Sequence, residues 1–313
     1  MGEVTSSQQT DGIAAFPKFS KLTYGHRRQY EKLIGGFPPI ADISFANLKV
    51  WWDSLDTCAV STLRDNVVLS YWFPGAEQYS GLSLVGTDDI DQSICALFDH
   101  LRSKGEPARL VHVPEFVVAQ IQYPEMFVCK EERNFDEYVY DMNTFYPQHH
   151  LPTYRRHRLR KFLSAIDSSR IAVKSLDLSL AEHRELLLSR QWPAKGINKF
   201  TRIFEEANRL QIEQSDLLGF DNICIFIDDE LAAYCIYKRC EDKRYAIFAQ
   251  AKVDYSIPRM LDYMIYALAQ SLLEQGISYL NLCYDLGVPF LRMVMITLGP
   301  CSHFRKYTLE PAK

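Results

Sequence analysis

The stretch Ile223-Cys224-Ile225-Phe226-Ile227-Asp228-Asp229-Glu230-Leu231-Ala232-Ala233-Tyr234-Cys235-Ile236-Tyr237-Lys238 decides the fold. Two runs rich in β-branched and aromatic residues flank three acids, the pattern of two strands joined by a tight polar turn. Toward the C-terminus, Arg244–Val253 predicts a third strand. Pro258 sits where a helix can start, and Met260, Met264, Leu268 and Leu272 fall on one helical face up to Glu274, with Gly276 as the stop. Ile277–Cys283 reads as the next strand, and Gly287-Val288-Pro289 opens a second helix ending near Gly299-Pro300.

The same order occurs earlier in the chain. Cys58–Leu63 and Val67–Phe73 pair around Arg64-Asp65-Asn66, and Leu82–Val85 is a short third strand. A helix from Asp88 to Lys104 follows, with Thr87 and Asp88 as caps and Gly105 as its end. Strand Arg109–Val113, a helix opening at Pro114 and Glu115, strand Met126–Cys129 and the segment Asp136–Asp141 complete the block. The chain of 313 residues therefore reads as a duplicated α/β unit. The expected division is a disordered tail (1–15), an N-terminal domain (16–148), and a C-terminal domain (149–313) that starts with a basic helix.

Composition narrows the function. At 47% hydrophobic and 24% charged the chain is an ordinary globular protein, and its net charge of -4 excludes a uniformly basic surface. Met1–Gly12 lacks the basic and then apolar order of a secretory signal, and no run reaches the roughly 18 apolar residues of a membrane span. A cytoplasmic protein with at most peripheral membrane contact is expected. The 8 cysteines show no CxxC pair and no histidine at zinc-ligand spacing, which predicts buried reduced thiols and no metal. Against the overall acidity, Tyr154-Arg155-Arg156-His157-Arg158-Leu159-Arg160-Lys161 contains no acid. A charge run is usually a solvated helix face, but an acid-free one is also a candidate track for phosphates.

These residues carry a resemblance. Asp42-Ile43-Ser44-Phe45-Ala46-Asn47-Leu48 with Trp51, Asp136-Glu137-Tyr138-Val139-Tyr140, Arg155-Arg156-His157 through Phe162, Asn281-Leu282-Cys283-Tyr284-Asp285-Leu286-Gly287 through Arg292, and Lys306-Tyr307 are spread from end to end. Together they resemble the tandem-GNAT domain at the C-terminus of phosphatidylglycerol lysyltransferases and its free-standing relatives. The strand and helix order is that of the GNAT acyltransferase fold, present twice. The resemblance implies an aminoacyltransferase that moves an amino acid from aminoacyl-tRNA to a hydroxyl or amine, on a lipid headgroup or a soluble small molecule. It implies no cofactor beyond the aminoacyl-tRNA donor. This chain departs from the family pattern at Cys283 (commonly Glu), Met295 (often Lys), Gln250 or Ala251 (a Glu before Lys252) and His157 (Asn).

Aminoacyl transfer starts from an activated ester, so it needs a positioned acceptor, a proton acceptor and donors for the developing oxyanion. Asp285, at the rim of the second block, is a candidate for holding the α-ammonium or acting as base, and equally for a helix cap. Arg292, about two turns along, is a candidate for phosphate or carbonyl contact. Lys306 on the last strand is a candidate for oxyanion or phosphate contact. Lys252, Asp254 and Asn281 near strand ends, with Trp192, are candidate substrate contacts. Tyr154, Arg155, Arg156, Arg158, Arg160 and Lys161 are the candidate tRNA contact, with Tyr154 available to stack on a base. Two alternatives stand beside this reading: a CoA-dependent N-acyltransferase and a non-catalytic binding protein. CoA is disfavoured because Val253-Asp254-Tyr255-Ser256-Ile257-Pro258-Arg259 has no glycine to open a backbone cradle for a pyrophosphate. The equivalent Leu84–Ile90 stretch carries acids.

Overall fold

The computed structural model describes residues 12–52, 58–71, 80–190, 201–240 and 244–312. In chain order it builds β1 (Ser20–Lys21), α1 (Arg27–Ile34), the single turn α2 (Phe45–Asn47), β2 (Cys58–Leu63), β3 (Asn66–Tyr71), β4 (Gly81–Val85), α3 (Ile90–Ser103), β5 (Leu110–Pro114), α4 (Glu115–Val118), β6 (Phe127–Glu131) and β7 (Glu137–Asp141). There follow α5 (Thr153–Ala165), β8 (Ile171–Lys174), α6 (Ala181–Ser189), α7 (Thr201–Glu213), α8 (Ser215–Leu218), β9 (Phe220–Ile227), β10 (Glu230–Cys240) and β11 (Tyr245–Val253). The chain ends with α9 (Met260–Glu274), β12 (Tyr279–Asn281), α10 (Pro289–Leu298), β13 (Ser302–Phe304) and β14 (Lys306–Pro311).

The strands form two 7-stranded mixed sheets, ordered β1-β2-β3-β4-β5-β14-β6 and β13-β7-β12-β11-β10-β9-β8. Each combines antiparallel ladders with a parallel pair, β4 with β5 and β11 with β12. Parallel neighbours need a crossover, which α3 and α9 supply. The hairpin between β9 and β10 turns at Asp228 (φ 50°) and Asp229 (φ 64°). Two successive left-handed residues make a type I′ turn, and aspartate tolerates that region better than branched residues do. Acids at 228–229 are thus a cause of the hairpin as well as its marker.

Each sheet takes in a strand from the far half of the sequence. β7 lies between β12 and β13, and β14 lies between β5 and β6. The compact units are therefore 12–38 with 52–133 and 305–312, and 39–51 with 134–304. This differs from a single cut at 148/149. The reason is that β7 and β14 each gain a ladder on both edges by leaving their sequence neighbours. The tail also differs from expectation where it is described: Ile13 is buried and Thr62 N donates to Ala14 O at 2.9 Å.

In the first unit Ile94, Leu97, Phe98 and Leu101 of α3 pack on Leu84, Leu110, Val113 and Leu309. In the second, Met264, Leu268 and Leu272 of α9 pack on Ile223, Ile225, Cys235 and Tyr237. Each such side chain contributes about 1.5–3 kcal/mol. All 8 cysteines are free thiols; Cys224 and Cys235 are buried as expected, whereas Cys129 and Cys301 are exposed.

Candidate active site

The connection from β12 to α10 is a tightly constrained turn of the second unit. Cys283 (φ 61°), Leu286 (φ 54°) and Gly287 (φ 71°) are all left-handed. Glycine adopts this region without penalty, but each of the other two costs about 1–3 kcal/mol and persists only if its surroundings hold it. Asp285 is what holds the turn. Its Oδ1 accepts from Gly287 N (2.8 Å) and Arg292 Nη2 (2.8 Å), and its Oδ2 from Tyr138 Oη (2.6 Å) and Arg292 Nε (2.8 Å).

A carboxylate has about four lone-pair sites, and those of Asp285 are filled while its side chain is 0% exposed. Burial pushes its pKa up; the Arg292 guanidinium, the Tyr138 hydroxyl and the Gly287 N–H outweigh burial and hold it below the ordinary carboxylate value. The sequence candidate for a base or ammonium holder is thus corrected: Asp285 is the anchor of the turn and has no site left for a substrate cation. Arg292, with 33% of its side chain exposed, is the member of the pair that faces solvent. Its Nη2 also donates to Asn134 Oδ1 at 2.8 Å.

A second buried carboxylate supports the same turn. Glu137, first residue of β7, is fully buried and accepts from Ala41 N (2.7 Å), Asp42 N (3.3 Å) and Asn281 Nδ2 (2.5 Å). Asn281 also donates to Pro39 O and accepts from Cys283 N. It is fully buried, so its place as a substrate contact is corrected to that of a brace. The Cys283 thiol donates to Phe248 O at 3.3 Å, at the point where β11 runs on past its pairing with β12. β11 also carries a bulge at Ala249, between the Gln250–Ile236 and Phe248–Tyr237 partners. Bulges concentrate beside active sites because they re-aim side chains.

The end of β11 carries Lys252 and Asp254. Lys252 Nζ pairs with Glu205 at 2.7 Å. Asp254 Oδ1 accepts from Ser256 N at 2.8 Å, and the turn then enters α9 through Arg259 at φ 65°. A carboxylate thus takes a backbone N–H of the glycine-free turn that leads into α9.

The basic stretch forms α5, and space supplies the acid its sequence lacks. Arg158 makes a bidentate pair with Asp262, at 2.8 and 2.9 Å from Nε. Arg155 Nη2 donates to Thr297 O (2.5 Å), and its guanidinium lies 4.8 Å from the centre of the Phe145 ring. Arg156 donates to His149 O and Leu151 O. These three arginines fasten α5 to its own unit, which corrects their place as free phosphate contacts. Tyr154, His157, Arg160 and Lys161 remain exposed.

Lys306 belongs to the first unit, where it opens β14 and is fully buried. Near it, on the same sheet, His112 Nδ1 lies 2.6 Å from Glu132 Oε2. Burial raises the Glu132 pKa, but His112 and the Thr308 hydroxyl bring it below its usual value. Trp192 lies outside the described residues. Among the described residues there is no group of three potential metal ligands and no helix long and apolar enough to cross a membrane. Sequence reasoning passed over Tyr138 and Glu137 as site residues, although both stand in the Asp136–Tyr140 motif. It missed His112 altogether, whose one signal is a polar residue inside the apolar strand Leu110–Val113.

No protein-family model matches this sequence, and no curated protein does. Solved structures do match its fold. A conserved protein of unknown function from Bacteroides thetaiotaomicron superposes with a TM-score of 0.74 at 18% identity, over 94% of this chain and 99% of that one. The C-terminal domain of a protein assigned as a lysylphosphatidylglycerol synthetase from Agrobacterium fabrum gives 0.60 at 12% identity, over 93% of each chain. L-PGS from Bacillus licheniformis gives 0.58 at 13% identity, over 91% of this chain and 92% of that one. The chain therefore shares the fold of these structures, two mixed sheets with helices in an α/β arrangement.

Proposed function

We propose that this protein is an aminoacyltransferase that takes an amino acid from aminoacyl-tRNA and passes it to a hydroxyl or amine acceptor. The observation that carries the reading is the likeness in fold, over more than nine-tenths of the chain, to the synthetase domain from Agrobacterium fabrum. The site supports it in three ways. The cation Arg292 stands at the solvent side of a turn stiffened by Asp285, Tyr138 and Asn134, so its position is fixed before any ligand arrives. Arg160 and Lys161, with Tyr154 to stack a base, give the acceptor end of a tRNA a cationic landing face on α5. Asp254 on the Ser256 N–H disfavours a CoA pyrophosphate, which leaves an ester donor without a cofactor.

In this reading Lys252 and Asp254 line the substrate end of β11, and Asp285 is a positioning residue. Lys306, in the first unit, is kept as a separate candidate for oxyanion or phosphate contact. The acceptor is a lipid headgroup reached at a membrane surface or a soluble small molecule. The test is label transfer from a panel of charged tRNAs into vesicle lipid or into amines of a cell extract. Transfer from one or a few of them is expected, and Arg292→Ala should lower it at least tenfold. Absence of transfer from every tRNA overturns the proposal, and tRNA binding without transfer favours a non-catalytic carrier.

A further inference from the structure

The second sheet has two covered faces of opposite character. The face against α9 is apolar, with Ile223, Ile225, Cys235 and Tyr237. On the other, the register sets Tyr234 opposite Cys224 and Lys252, and Ile236 opposite Gln250, so these side chains share one side of the sheet. Helix α7 and the turn α8 after it lie on that side. Tyr234 Oη donates to Asn208 Oδ1 at 3.2 Å, and Lys252 pairs with Glu205 at 2.7 Å.

One turn beyond Asn208 on the same helical face stands Gln211, and one turn further is Ser215. Gln211 is 0% exposed and neither its amide oxygen nor its amide nitrogen has a hydrogen-bond partner. The Ser215 hydroxyl and Gln250 Oε1 are buried without partners as well. Buried polar atoms are satisfied in all but a few cases, and an amide left open at both ends is the costliest arrangement for its size. Leucine would fill the same volume without that cost. The open set contains donors (the Gln211 amide nitrogen and the Ser215 hydroxyl) and acceptors (Gln211 Oε1 and Gln250 Oε1). It carries no net charge, because the Lys252 ammonium is already matched by Glu205.

We infer that the layer between α7 and this sheet face binds an uncharged group that both donates and accepts hydrogen bonds, a primary carboxamide above all. A ligand amide set against the Gln211 amide satisfies N–H to oxygen in both directions, and the Ser215 hydroxyl, one turn on, takes a remaining valence. Taken with the proposed transfer reaction, on which this part rests, the carboxamide is the side chain of the amino acid carried. A free carboxamide compound is the other source of the same chemistry.

Calorimetry on the full chain distinguishes these without tRNA. The probes are the methyl esters of glutamine, asparagine, methionine and lysine, and butyramide. Binding of the glutamine or asparagine ester at least tenfold tighter than the methionine and lysine esters is expected. Butyramide binding as well would point to a free carboxamide, and its silence to an aminoacyl group. Gln211→Leu should abolish binding while Tm stays level or rises by about 2 °C, since an orphan amide is removed. Ser215→Ala, a smaller change, should weaken binding about fivefold. Equal or absent binding for all five probes, tightest binding of the lysine ester, or unaltered binding in both variants overturns the inference. Because the esters need no transfer step, failure of the tRNA assay with ester binding intact would overturn the reaction and leave the site standing.

Discussion

The turns that lead into α3 and α9 occupy the same place in the two units and are closed by different devices. Both enter their helix through a left-handed residue that is not glycine, Asp89 (φ 45°) and Arg259 (φ 65°). In the first unit the turn is plugged from the neighbouring strand: Asn66, fully buried, donates to Asp88 O at 2.5 Å and accepts from Asp88 N at 3.0 Å. In the second it is closed locally, by Asp254 on Ser256 N. In each case a side-chain oxygen takes a backbone N–H of the turn that precedes the helix. The two units thus close the same turn with different side chains. The first plug is neutral and sealed in the core, whereas the second is a charge at the surface.

The largest way to break this comparison is Gly86→Ala. A β-carbon there would come within 2.0 Å of Asn66 Oδ1. Overpacking and a displaced buried amide should together cost about 4 kcal/mol, read as a drop in the urea midpoint. An effect under 1 kcal/mol would mean that Asn66 can leave without loss.

Next in size is Asp285→Asn, which touches the second unit alone. It leaves Arg292 and Tyr138 facing a neutral group in a buried site, and about 3 kcal/mol should be lost. The pH dependence sharpens the point. The Asp285 pKa is held below its ordinary value of 3.8, so its contribution is complete above that pH and is lost as pH falls through the folded value. The variant should therefore show a flatter acid limb in a stability–pH titration.

Much of this fold was legible because strands and helices announce themselves locally. Cys58–Leu63, the Asp228-Asp229 hairpin and the α9 face at Met260, Met264, Leu268 and Leu272 depend on nearest neighbours and on periodicity. The exchange of β7 and β14 was not legible, since nothing in Glu137–Asp141 says which sheet it will join. Of the candidate site, only the local part was legible, for the same reason. Asp285 and Arg292 were found together because they are two turns apart, but the saturation of Asp285 depends on Tyr138, which lies 147 residues away. The basic stretch seemed unpaired because its acid, Asp262, is 104 residues from Arg158.

A smaller effect is expected at the second plug. Asp254→Ala removes one cap-like bond on an exposed turn and should cost about 1 kcal/mol. If the charge at this turn is what repels a phosphate, calorimetry with acetyl-CoA should give no heat for the parent and weak heat for the variant. If the parent itself binds, the comparison between the two plugs fails at its functional end.

The smallest expected change in stability separates the two faces of α5. Replacing Arg160 and Lys161 together by Glu touches residues that are exposed and make no described ion pair, so stability should stay within about 0.5 kcal/mol of the parent. Their proposed role is phosphate contact, and single-stranded RNA loses roughly 0.7 of a unit of salt slope for each phosphate neutralisation removed. The slope of log affinity against log salt for the single-stranded acceptor end of a tRNA should therefore fall by about 1 to 2. Arg158→Ala is the matched control. It breaks the Asp262 pair and should lower Tm while leaving the salt slope alone, because its guanidinium is already engaged by that carboxylate. A salt slope that responds to Arg158 and ignores Arg160 and Lys161 would place the nucleic-acid face on the other side of this helix.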